Sequence, residues 1–575
     1  MFLYGLVCIG ILGIDLSTQY IKIAESTFSG EPKVIKDGYN RVNIPAAAAS
    51  KYPIDMNNIP EKLTDFPIKF GAEALPILRR SPQNGYEFLP KTIGRSNTSF
   101  HTSANITTPE FVSLYFMNYI LDHGNKNGLT FAVPSFWTKL QREALSNALK
   151  LYRMPLEAII DDTEALAANY GATRYTRYQK ATWNVLFVDF GATSFKVHGI
   201  TFQWKGDHTF ANETANEWSE KVGGYYCAKA VAAKENISIS EAMEEIQINS
   251  NRYVQLFKNQ TIIIEQLLKR AVARIEHTTK FNKFHRNSFK VDEVQLIGAA
   301  SSMPYLRDII KKHTNCTNIK RDFNINEEIS VGAVYCIQNY RGFSKTPMTF
   351  FQKQTPFSYS LKCGGYRTVC TKGNQCQDTI KFEHRGCTVM RIVAKEDEIP
   401  EGSSRVLASY ELLNISNMNF SSGDRAAGIA NMMINETRLD GVTWCKNTEC
   451  FPIAAKYTPI VNPEMKGRGV KFLTAFSVAE NERRAKEKAL LDVNNLLDIF
   501  DLDQFEDFPP DIKYDLAPYK YGRDLGTLND MSTEELKEGA KIIRKSLMKL
   551  LPHVQLPDPP KEDPNINNQP QNDEL

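Results

Sequence analysis

Apolar runs alternate with amphipathic stretches from the N-terminus to about residue 340. Leu129 to Pro134 (LTFAVP) is a short apolar run ended by proline, which predicts a buried strand. Residues 139–151 follow with leucine and alanine on one helical face, and residues 185–189 and 293–297 are further runs of strand length. Strands and helices in alternation indicate an α/β class.

The pattern changes from about Ser344. Residues 350–465 alternate apolar and polar positions between many turn residues, which predicts an all-β region. Residues 475–500 and 532–551 have helical spacing, and the second stretch begins with Ser532 and Glu535, the capping-box pattern. The polar, proline-rich end of the chain has no aromatic residue, so we expect it to be disordered.

A chain of 575 residues is too long for one hydrophobic core, so we expect several domains. The predicted parts are a signal-like leader at 1–12, an α/β domain at 13–343, a β-sandwich at 344–465, a helical region at 466–551 and a tail at 552–575. Contents of 42% hydrophobic and 23% charged residues are typical of globular proteins. A net charge of +3 without a basic stripe gives no indication of nucleic-acid binding.

Both ends of the chain indicate the endoplasmic-reticulum lumen. Residues 1–12 are apolar and suit a short signal sequence, although residues 7–14 could instead be only a buried strand. Residues 572–575 (NDEL) are similar to retrieval signals of the K-D-E-L class, which predicts an ER retrieval receptor as a partner. No later run reaches about eighteen apolar residues, so we expect a soluble lumenal protein without a membrane anchor.

Cysteines and glycosylation motifs agree with that compartment. Six of the 10 cysteines fall in one window and predict disulfides, since their spacings match no zinc template; they are Cys363, Cys370, Cys376, Cys387, Cys445 and Cys450. N-glycosylation motifs begin at Asn97, Asn105, Asn212, Asn236, Asn259, Asn315, Asn414, Asn419 and Asn435.

Two distant segments share one chemistry. Residues 12–19 (LGIDLSTQ) and 186–194 (LFVDFGATS) each join an apolar strand, one aspartate and a tight turn of small or hydroxyl residues. A buried strand would hold Asp15 or Asp189 where it can orient a metal ion or water, and small residues let backbone N–H groups approach phosphate. Two such segments predict two lobes that close on one nucleotide. The predicted contacts are Ser17, Thr18, Gln19, Gly191, Ala192, Thr193 and Ser194.

Two further turns could contact the same ligand. Residues 291–304 form a strand followed by Gly298 and Ala299, which could pack against an adenosine. Gly223 and Gly224 could form a second turn of close approach. An ordinary turn is the alternative at both places.

The order of these segments resembles the nucleotide-binding domain of the seventy-kilodalton heat-shock chaperones, and most of all their large ER-lumenal branch, the hypoxia up-regulated proteins. Asp15 to Tyr20 is similar to the first phosphate loop of that family, and Asp189 to Phe195 is similar to the second. Beyond residue 345 the resemblance is architectural. Other matching segments are 91–95, 133–142, 159–171, 222–224, 297–304 and 325–334.

The resemblance implies a fold and a set of ligands. The fold would be a two-lobed actin-like ATPase with ribonuclease-H-like halves, followed by a β-sandwich and a helical lid. The ligands would be ATP or ADP with Mg²⁺, organised by Asp15, Asp162 and Asp189, of which Asp15 and Asp189 would hold the metal through water. Pro134 and Arg142 would relay the nucleotide state to the second domain. Unfolded polypeptides and the lumenal heat-shock chaperone would be partners.

The chain departs from the family pattern where hydrolysis is organised. The position of the catalytic lysine holds Leu75, and the acid after the second phosphate loop is Lys196, which could sit against phosphate directly. The arginine expected near adenine is Ser302, for which Lys269 and Arg270 are candidate substitutes. We therefore expect nucleotide binding with poor hydrolysis.

Three classes of function agree with this pattern. The first is an ER-lumenal chaperone or co-chaperone that assists protein folding, including a nucleotide-exchange factor for the lumenal heat-shock chaperone. The second is a degenerate scaffold that does not hydrolyse nucleotide. The third is a phosphotransferase related to sugar kinases, which would leave the β-rich and helical regions without a role.

Overall fold

The computed structural model divides the chain into two compact units. The first comprises Met1–Pro53 and Ile68–Asn462, and the second comprises Ile54–Pro67 and Pro463–Leu575. The structure describes residues 10–27, 31–37, 40–51, 68–95, 112, 115–116, 128–150, 154–174, 182–206, 208–280, 290–324, 327–342, 346–363, 365–373, 379–383, 388–413, 426–433, 438–446, 449–457, 482–499, 505 and 507–552. The leader before residue 10, the NDEL terminus, Cys376, Cys387 and the motifs at Asn97, Asn105, Asn414, Asn419 and Asn435 lie outside these residues.

Three sheets and nine helices are described before residue 353. The strands are β1 (Ile11–Leu16), β2 (Tyr20–Ser26), β3 (Pro32–Ile35), β4 (Ile44–Pro45), β5 (Ala48–Ser50), β6 (Ile68–Phe70), β7 (Gly85–Tyr86), β8 (Gly128–Val133), β9 (Leu156–Asp161), β10 (Thr182–Phe190), β11 (Phe195–Lys205), β12 (His208–Ser219), β13 (Glu293–Ile297), β14 (Ile319–Lys320) and β15 (Met348–Gln352). The helices are α1 (Ala74–Arg80), α2 (Leu89–Thr92), α3 (Lys139–Lys150), α4 (Asp162–Arg174), α5 (Gly224–Glu235), α6 (Ile239–Asn249), α7 (Lys258–Lys280), α8 (Pro304–Thr314) and α9 (Glu328–Tyr340).

The two larger sheets have the same arrangement at their centres. The first has the order β3-β2-β1-β8-β9 with β4 on β2, and the second has the order β14-β13-β10-β11-β12-β15. In each, a buried strand pairs antiparallel with the next strand and parallel with a later one. β1 is buried along its length and β10 from Asn184 onward, because strands pair on both sides of each, which explains their long apolar runs.

Two helices pack closely because small residues lie between them. A Cβ atom on Gly332 in α9 would lie 2.0 Å from the carbonyl oxygen of Ala165 in α4, so no larger side chain fits there. Gly13 allows β1 to approach α9 equally closely, since a Cβ atom there would lie 2.4 Å from the carbonyl oxygen of Ser330. This packing brings the first turns of α4 and α9, with Asp162 and Glu328, to the sheets.

The region after β15 is built from two antiparallel sheets. Their orders are β17-β16-β19-β20-β24 and β18-β21-β22-β23. Cys363 and Cys370 are both disulfide-bonded, as their clustering predicts. The face-to-face packing of a sandwich stays a prediction. The strands are β16 (Tyr359–Lys362), β17 (Tyr366–Cys370), β18 (Thr379–Glu383), β19 (Val389–Ala394), β20 (Val406–Leu412), β21 (Ala426–Met433), β22 (Arg438–Lys446), β23 (Glu449–Ile453) and β24 (Ala455–Tyr457).

The second unit is helical where it is described. It contains α10 (482–497), α11 (Pro510–Asp524) and α12 (Thr533–Leu550), which share an apolar core around Leu496, Leu516 and Leu536. Ser532 and Glu535 form the predicted capping box. Its role as a lid stays a prediction. Among the described residues, none of the helices combines the length and apolarity that a membrane span needs.

Candidate functional site

The aspartates that end β1 and β10 converge on one buried site. Asp15 and Asp189 are 3% and 5% exposed, because each lies at the end of a covered strand. Both carboxylates raise the pKa of Lys22 and the pKa of Glu328, so the two strand ends share these neighbours. The two strand-and-turn segments are thus close to each other, and their role in nucleotide binding stays a prediction.

Lys196 joins two of the three acids. The antiparallel register of β10 and β11 places it opposite Asp189, and its ammonium lies 2.5 Å from Asp189 Oδ2 and 2.6 Å from Asp162 Oδ2. Burial opposes the charge of Lys196, but the two carboxylates outweigh it and raise the pKa of Lys196. Sequence reasoning placed this side chain against phosphate, whereas the structure places it between the two acids.

Both carboxylate oxygens of Asp162 accept hydrogen bonds. Oδ1 accepts the backbone N–H groups of Ser135 at 3.0 Å and Thr163 at 2.9 Å, and Oδ2 accepts from Lys196. The second of these N–H groups lies at the start of α4, where the helix dipole favours a negative charge. Burial raises the pKa of Asp162, although Lys196 opposes that effect.

Asp15 is paired with a second lysine, which sequence reasoning missed. Lys22 Nζ lies 2.9 Å from Asp15 Oδ2, and the hydroxyl of Ser17 donates to Oδ1 at 2.6 Å. Burial works against the charge of Lys22, but Asp15, Glu328 and Asp189 raise its pKa. The β1–β2 hairpin register sets Asp15 opposite Lys22, so the lysine could have been found from the alternation of β2.

Glu328 completes the group of charged side chains. It is 2% exposed, and its Oε1 atom has no hydrogen-bond partner among the described residues. Burial raises the pKa of Glu328 to about 7, while the Lys22 ammonium opposes the shift. The side chain therefore changes charge close to neutral pH.

Replacing Glu328 with glutamine is expected to stabilise the protein at pH 8 by about 2 kcal/mol and to have little effect at pH 4.5. A carboxyl group whose folded pKa is raised contributes its stability below the unfolded value, 4.5, and loses it as pH rises towards about 7. Glutamine keeps the neutral shape at every pH. Urea unfolding between pH 4.5 and 8 measures the difference, and a variant less stable than the wild type at pH 8 would contradict it.

The second phosphate-type turn is packed against the start of α5 and the turn after β13. The N–H groups of Gly224 and Tyr225 donate to the carbonyls of Gly191 and Ala192 at 2.9 and 2.8 Å. Gly298 has φ +77°, and a Cβ there would lie 2.6 Å from Asp189 Oδ1, so this position requires glycine. Of the predicted glycines, Gly191 and Gly298 thus lie beside the Asp189 carboxylate, whereas Gly223 and Gly224 pack on the turn itself.

The other residues predicted to contact a nucleotide differ in their hydrogen-bond partners. The Thr193 hydroxyl is buried and lacks a partner in the part of the chain that the structure describes, and it could donate to a ligand. Gln19 reaches Met243 Sδ in α6 at 3.8 Å, which joins the first lobe to the second. Thr18 and Ala299 lie in turns, and Ser194 closes its own turn by accepting from Gly191 N–H at 3.0 Å.

Protein groups already contact most of the carboxylate oxygens on which Mg²⁺ was expected. Both oxygens of Asp15 and of Asp162 accept hydrogen bonds from protein groups, and Asp189 Oδ2 lies against Lys196. Across the described residues, no three His, Cys, Asp or Glu side chains are grouped as metal ligands. A hydrated metal on Asp15 and Asp189 would therefore have to compete with Lys22 and Lys196 for these carboxylates.

An ionic contact extends from the site to the segment that follows the α/β domain. Asp161, next to Asp162, pairs with Arg142 of α3 and, at 3.3 Å, with Lys353 just after β15. Burial opposes this charge, but Arg142 and Lys353 lower the pKa of Asp161. Arg142 also donates to the carbonyl of Trp137 at 3.3 Å, three residues after Pro134. Arg142 thus contacts both Asp161 and the turn that follows Pro134, and the relay role of these two residues stays a prediction.

Two glutamates of strand β12 contribute further contacts at the junction with the region that follows the α/β domain. Glu213 accepts the N–H of Gln354 at 2.8 Å, and the 1%-exposed Glu217 pairs with Arg270, Arg274 and Lys372 at 3.1, 2.7 and 3.3 Å. Arg270, a candidate adenine contact from the sequence, is therefore engaged on Glu217. The parallel pairing of β15 with β12 completes this junction.

Two residues at positions where the sequence departs from the family pattern contact other protein groups. Leu75 is half-buried in α1 and packs against an apolar cluster that includes Ala74 and Leu78. Ser302 is half-buried, and its hydroxyl donates to the carbonyl of Ala299 at 2.8 Å. Neither side chain supplies a charge for a nucleotide.

The sequence is similar to known chaperones. The sequence profile of the Hsp70 protein family matches residues 125–231 and 227–417, together just over half of the chain. Chaperone protein DnaK of Mesomycoplasma hyopneumoniae (strain J) is 25% identical over 365 residues, which cover 56% of this chain and 57% of the relative.

Two HscA homologs are also similar. The homolog of Acinetobacter baylyi is 20% identical over 414 residues, covering 62% of this chain and 61% of the relative. That of Acinetobacter baumannii (strain AYE) is 24% identical over 215 residues, covering 33% and 32%. The chain therefore spans between about a third and about three fifths of the length of these relatives.

Proposed function

Because this chain belongs to the Hsp70 protein family, we propose that it is a chaperone or co-chaperone of the ER lumen that binds ATP or ADP and assists protein folding. The observation that carries the proposal is the convergence of Asp15 and Asp189, each with its small-residue turn, on one buried site. The buried Thr193 hydroxyl suits phosphate, and unfolded polypeptides would be the clients.

Nucleotide state would reach the second domain through adjacent carboxylates. Asp162 belongs to the buried site, and Asp161 pairs with Arg142 and Lys353. A ligand that moves Asp162 would therefore change the contacts of the segment after β15. Coupling of this kind needs a difference in nucleotide affinity between the two arrangements.

Hydrolysis is expected to be negligible in the wild type and measurable in the double variant Leu75→Lys, Lys196→Asp. Leu75 cannot neutralise phosphate charge, and Lys196 occupies the oxygens of Asp162 and Asp189. Single-turnover assays with radiolabelled ATP and Mg²⁺ compare the two proteins with each single variant. Fast turnover by the wild type would show that neither residue limits the reaction.

A nucleotide-exchange factor is the form of this function that the site favours. Such a protein needs a stably bound nucleotide more than its own turnover, so Leu75 and Lys196 would be tolerated. The test is release of fluorescent ADP from the lumenal Hsp70 chaperone at increasing concentrations of this chain. The rate is expected to rise and saturate, with an unrelated protein at equal concentration as control. An unchanged rate would exclude this role and leave a folding chaperone.

A scaffold that keeps only protein contacts is the second candidate. The observation in its favour is that Lys22 and Lys196 satisfy the acids without any ligand. Titration with ADP followed by thermal unfolding separates the two functions, because a ligand that binds only the native state raises its stability. An unchanged midpoint would favour the scaffold.

Residence in the ER is expected to depend on the last four residues. The leader, the NDEL terminus and the disulfide-bonded Cys363 and Cys370 support a secretory chain. Deleting residues 572–575 should move the protein from cell lysate to medium, since a retrieval receptor reads a free terminus. Endoglycosidase H digestion provides a second readout of residence in the ER. The variants Asn236→Gln and Asn315→Gln, each of which removes one exposed glycosylation motif, are compared with the wild type. An unglycosylated protein retained without these residues would argue against the lumen.

A further inference from the structure

Two buried ammonium groups lie against the acids of the site. Lys22 Nζ is 2.9 Å from Asp15 Oδ2, and Lys196 Nζ is 2.6 and 2.5 Å from Asp162 and Asp189. The two lysine side chains are only 12% and 8% exposed, and their partners are 4–7% exposed. Solvent therefore screens these pairs weakly, and each lysine is a fixed part of the site.

A divalent cation would have to compete with both lysines. Mg²⁺ takes six oxygen ligands in near-octahedral geometry at about 2.1 Å, and it usually keeps several waters. Both oxygens of Asp15 and of Asp162 already accept from Lys22, Ser17, Lys196 or the backbone, and Asp189 Oδ2 lies against Lys196, so Asp189 Oδ1 is the oxygen left for such a water among the described contacts. A dication would also be repelled by the neighbouring ammonium groups. The charge that a metal would supply is already present.

We propose that Lys22 and Lys196 take the place of the divalent cation, so that this site excludes Mg²⁺ and its nucleotide binds without metal. The part that concerns the nucleotide rests on the function proposed above. Three aspartates and two lysines leave a net charge of −1, excluding Glu328. Without a metal to shield it, a third phosphate adds repulsion. ADP should therefore bind at least as tightly as ATP.

The exclusion of metal is tested first, on the full chain without nucleotide. Free Mn²⁺, which substitutes for Mg²⁺, gives an electron paramagnetic resonance signal that decreases on binding. The wild type is expected to leave the signal unchanged. Loss of one equivalent of signal, prevented by Asp189→Asn, would overturn the proposal.

Variants that remove a lysine show whether these side chains cause the exclusion. Lys196→Met and Lys22→Met each free a carboxylate, so each should gain Mn²⁺ binding. Mn²⁺ should also raise their midpoints of thermal unfolding, which gives a readout even where Lys196→Met folds poorly alone. Lys312→Met removes an exposed lysine paired with Glu265 and is the control, for which no gain is expected. Absence of a gain in both site variants would refute the role of the lysines.

Nucleotide binding is then measured by calorimetry with ADP in EDTA and in Mg²⁺. The two dissociation constants are expected to agree within about twofold, whereas a metal-dependent site would differ at least about tenfold. Weaker binding in EDTA by that margin would overturn the proposal. If ADP binds in neither buffer, the nucleotide function fails, and the Mn²⁺ result alone decides whether the lysines exclude metal.

Discussion

Replacing Lys196 with methionine is expected to destabilise the first unit by about 3–5 kcal/mol, the usual cost of leaving a buried charge without its partner. Methionine fills much of the same volume, so the loss comes from charge more than from packing. Asp162 and Asp189 would then face each other in a buried site without an ammonium between them. Chemical unfolding followed by tryptophan fluorescence measures the change.

The pH dependence of this loss identifies its cause. Burial already raises the pKa of Asp162, and Lys196 opposes the shift. Without the lysine the folded pKa would rise further, so stability would be retained at low pH and lost as pH rises. The deficit of the variant should therefore be smaller at pH 5 than at pH 8. Lys312→Met is the matched control, and a deficit that grows in acid would contradict the explanation.

Replacing Glu217 with glutamine is expected to release the segment that follows the α/β domain. Glu217 is 1% exposed and pairs with Arg270 and Arg274 of α7 and with Lys372 of the β-rich region. Glutamine keeps the shape but removes the carboxylate charge shared by Arg270, Arg274 and Lys372. The loss should be about 1–3 kcal/mol, concentrated at the junction, because these cations are partly exposed to water.

Hydrogen exchange gives the local readout for this variant. Backbone N–H groups of residues 348–357 should exchange faster, because β15 pairs with residues 208–212 of the same strand that carries Glu217, and Glu213 accepts from Gln354. Glu396→Gln removes an exposed acid paired with Arg405 and should leave these rates unchanged. Equal protection in Glu217→Gln and wild type would show that other contacts hold the junction.

Local patterns predicted the central strands and the helix ends well. β13 has the predicted bounds, β1 and β10 contain the predicted apolar runs, and α12 begins at the capping box of Ser532. Each of these depends on residues that are neighbours in the chain, where propensity and burial act together.

The partners of the charged residues could not be predicted in the same way. Lys196 was expected near phosphate, because nothing local indicates that α4 brings Asp162 to within 2.6 Å. Arg270 was considered for adenine, but its partner Glu217 lies 53 residues earlier in the chain. Lys22 is the exception, since the hairpin register would have revealed its contact with Asp15.

Because β15 is the outermost strand of the second sheet, the boundary expected near residue 344 does not separate two independent pieces. A recombinant fragment that ends at Tyr340 would lack Met348–Gln352 and would expose the edge of β12 from His208 to Asn212. Unpaired edges of this kind recruit strands from other molecules. Expression of the first domain alone should therefore extend at least to Gln354, or self-association will obscure its ligand binding.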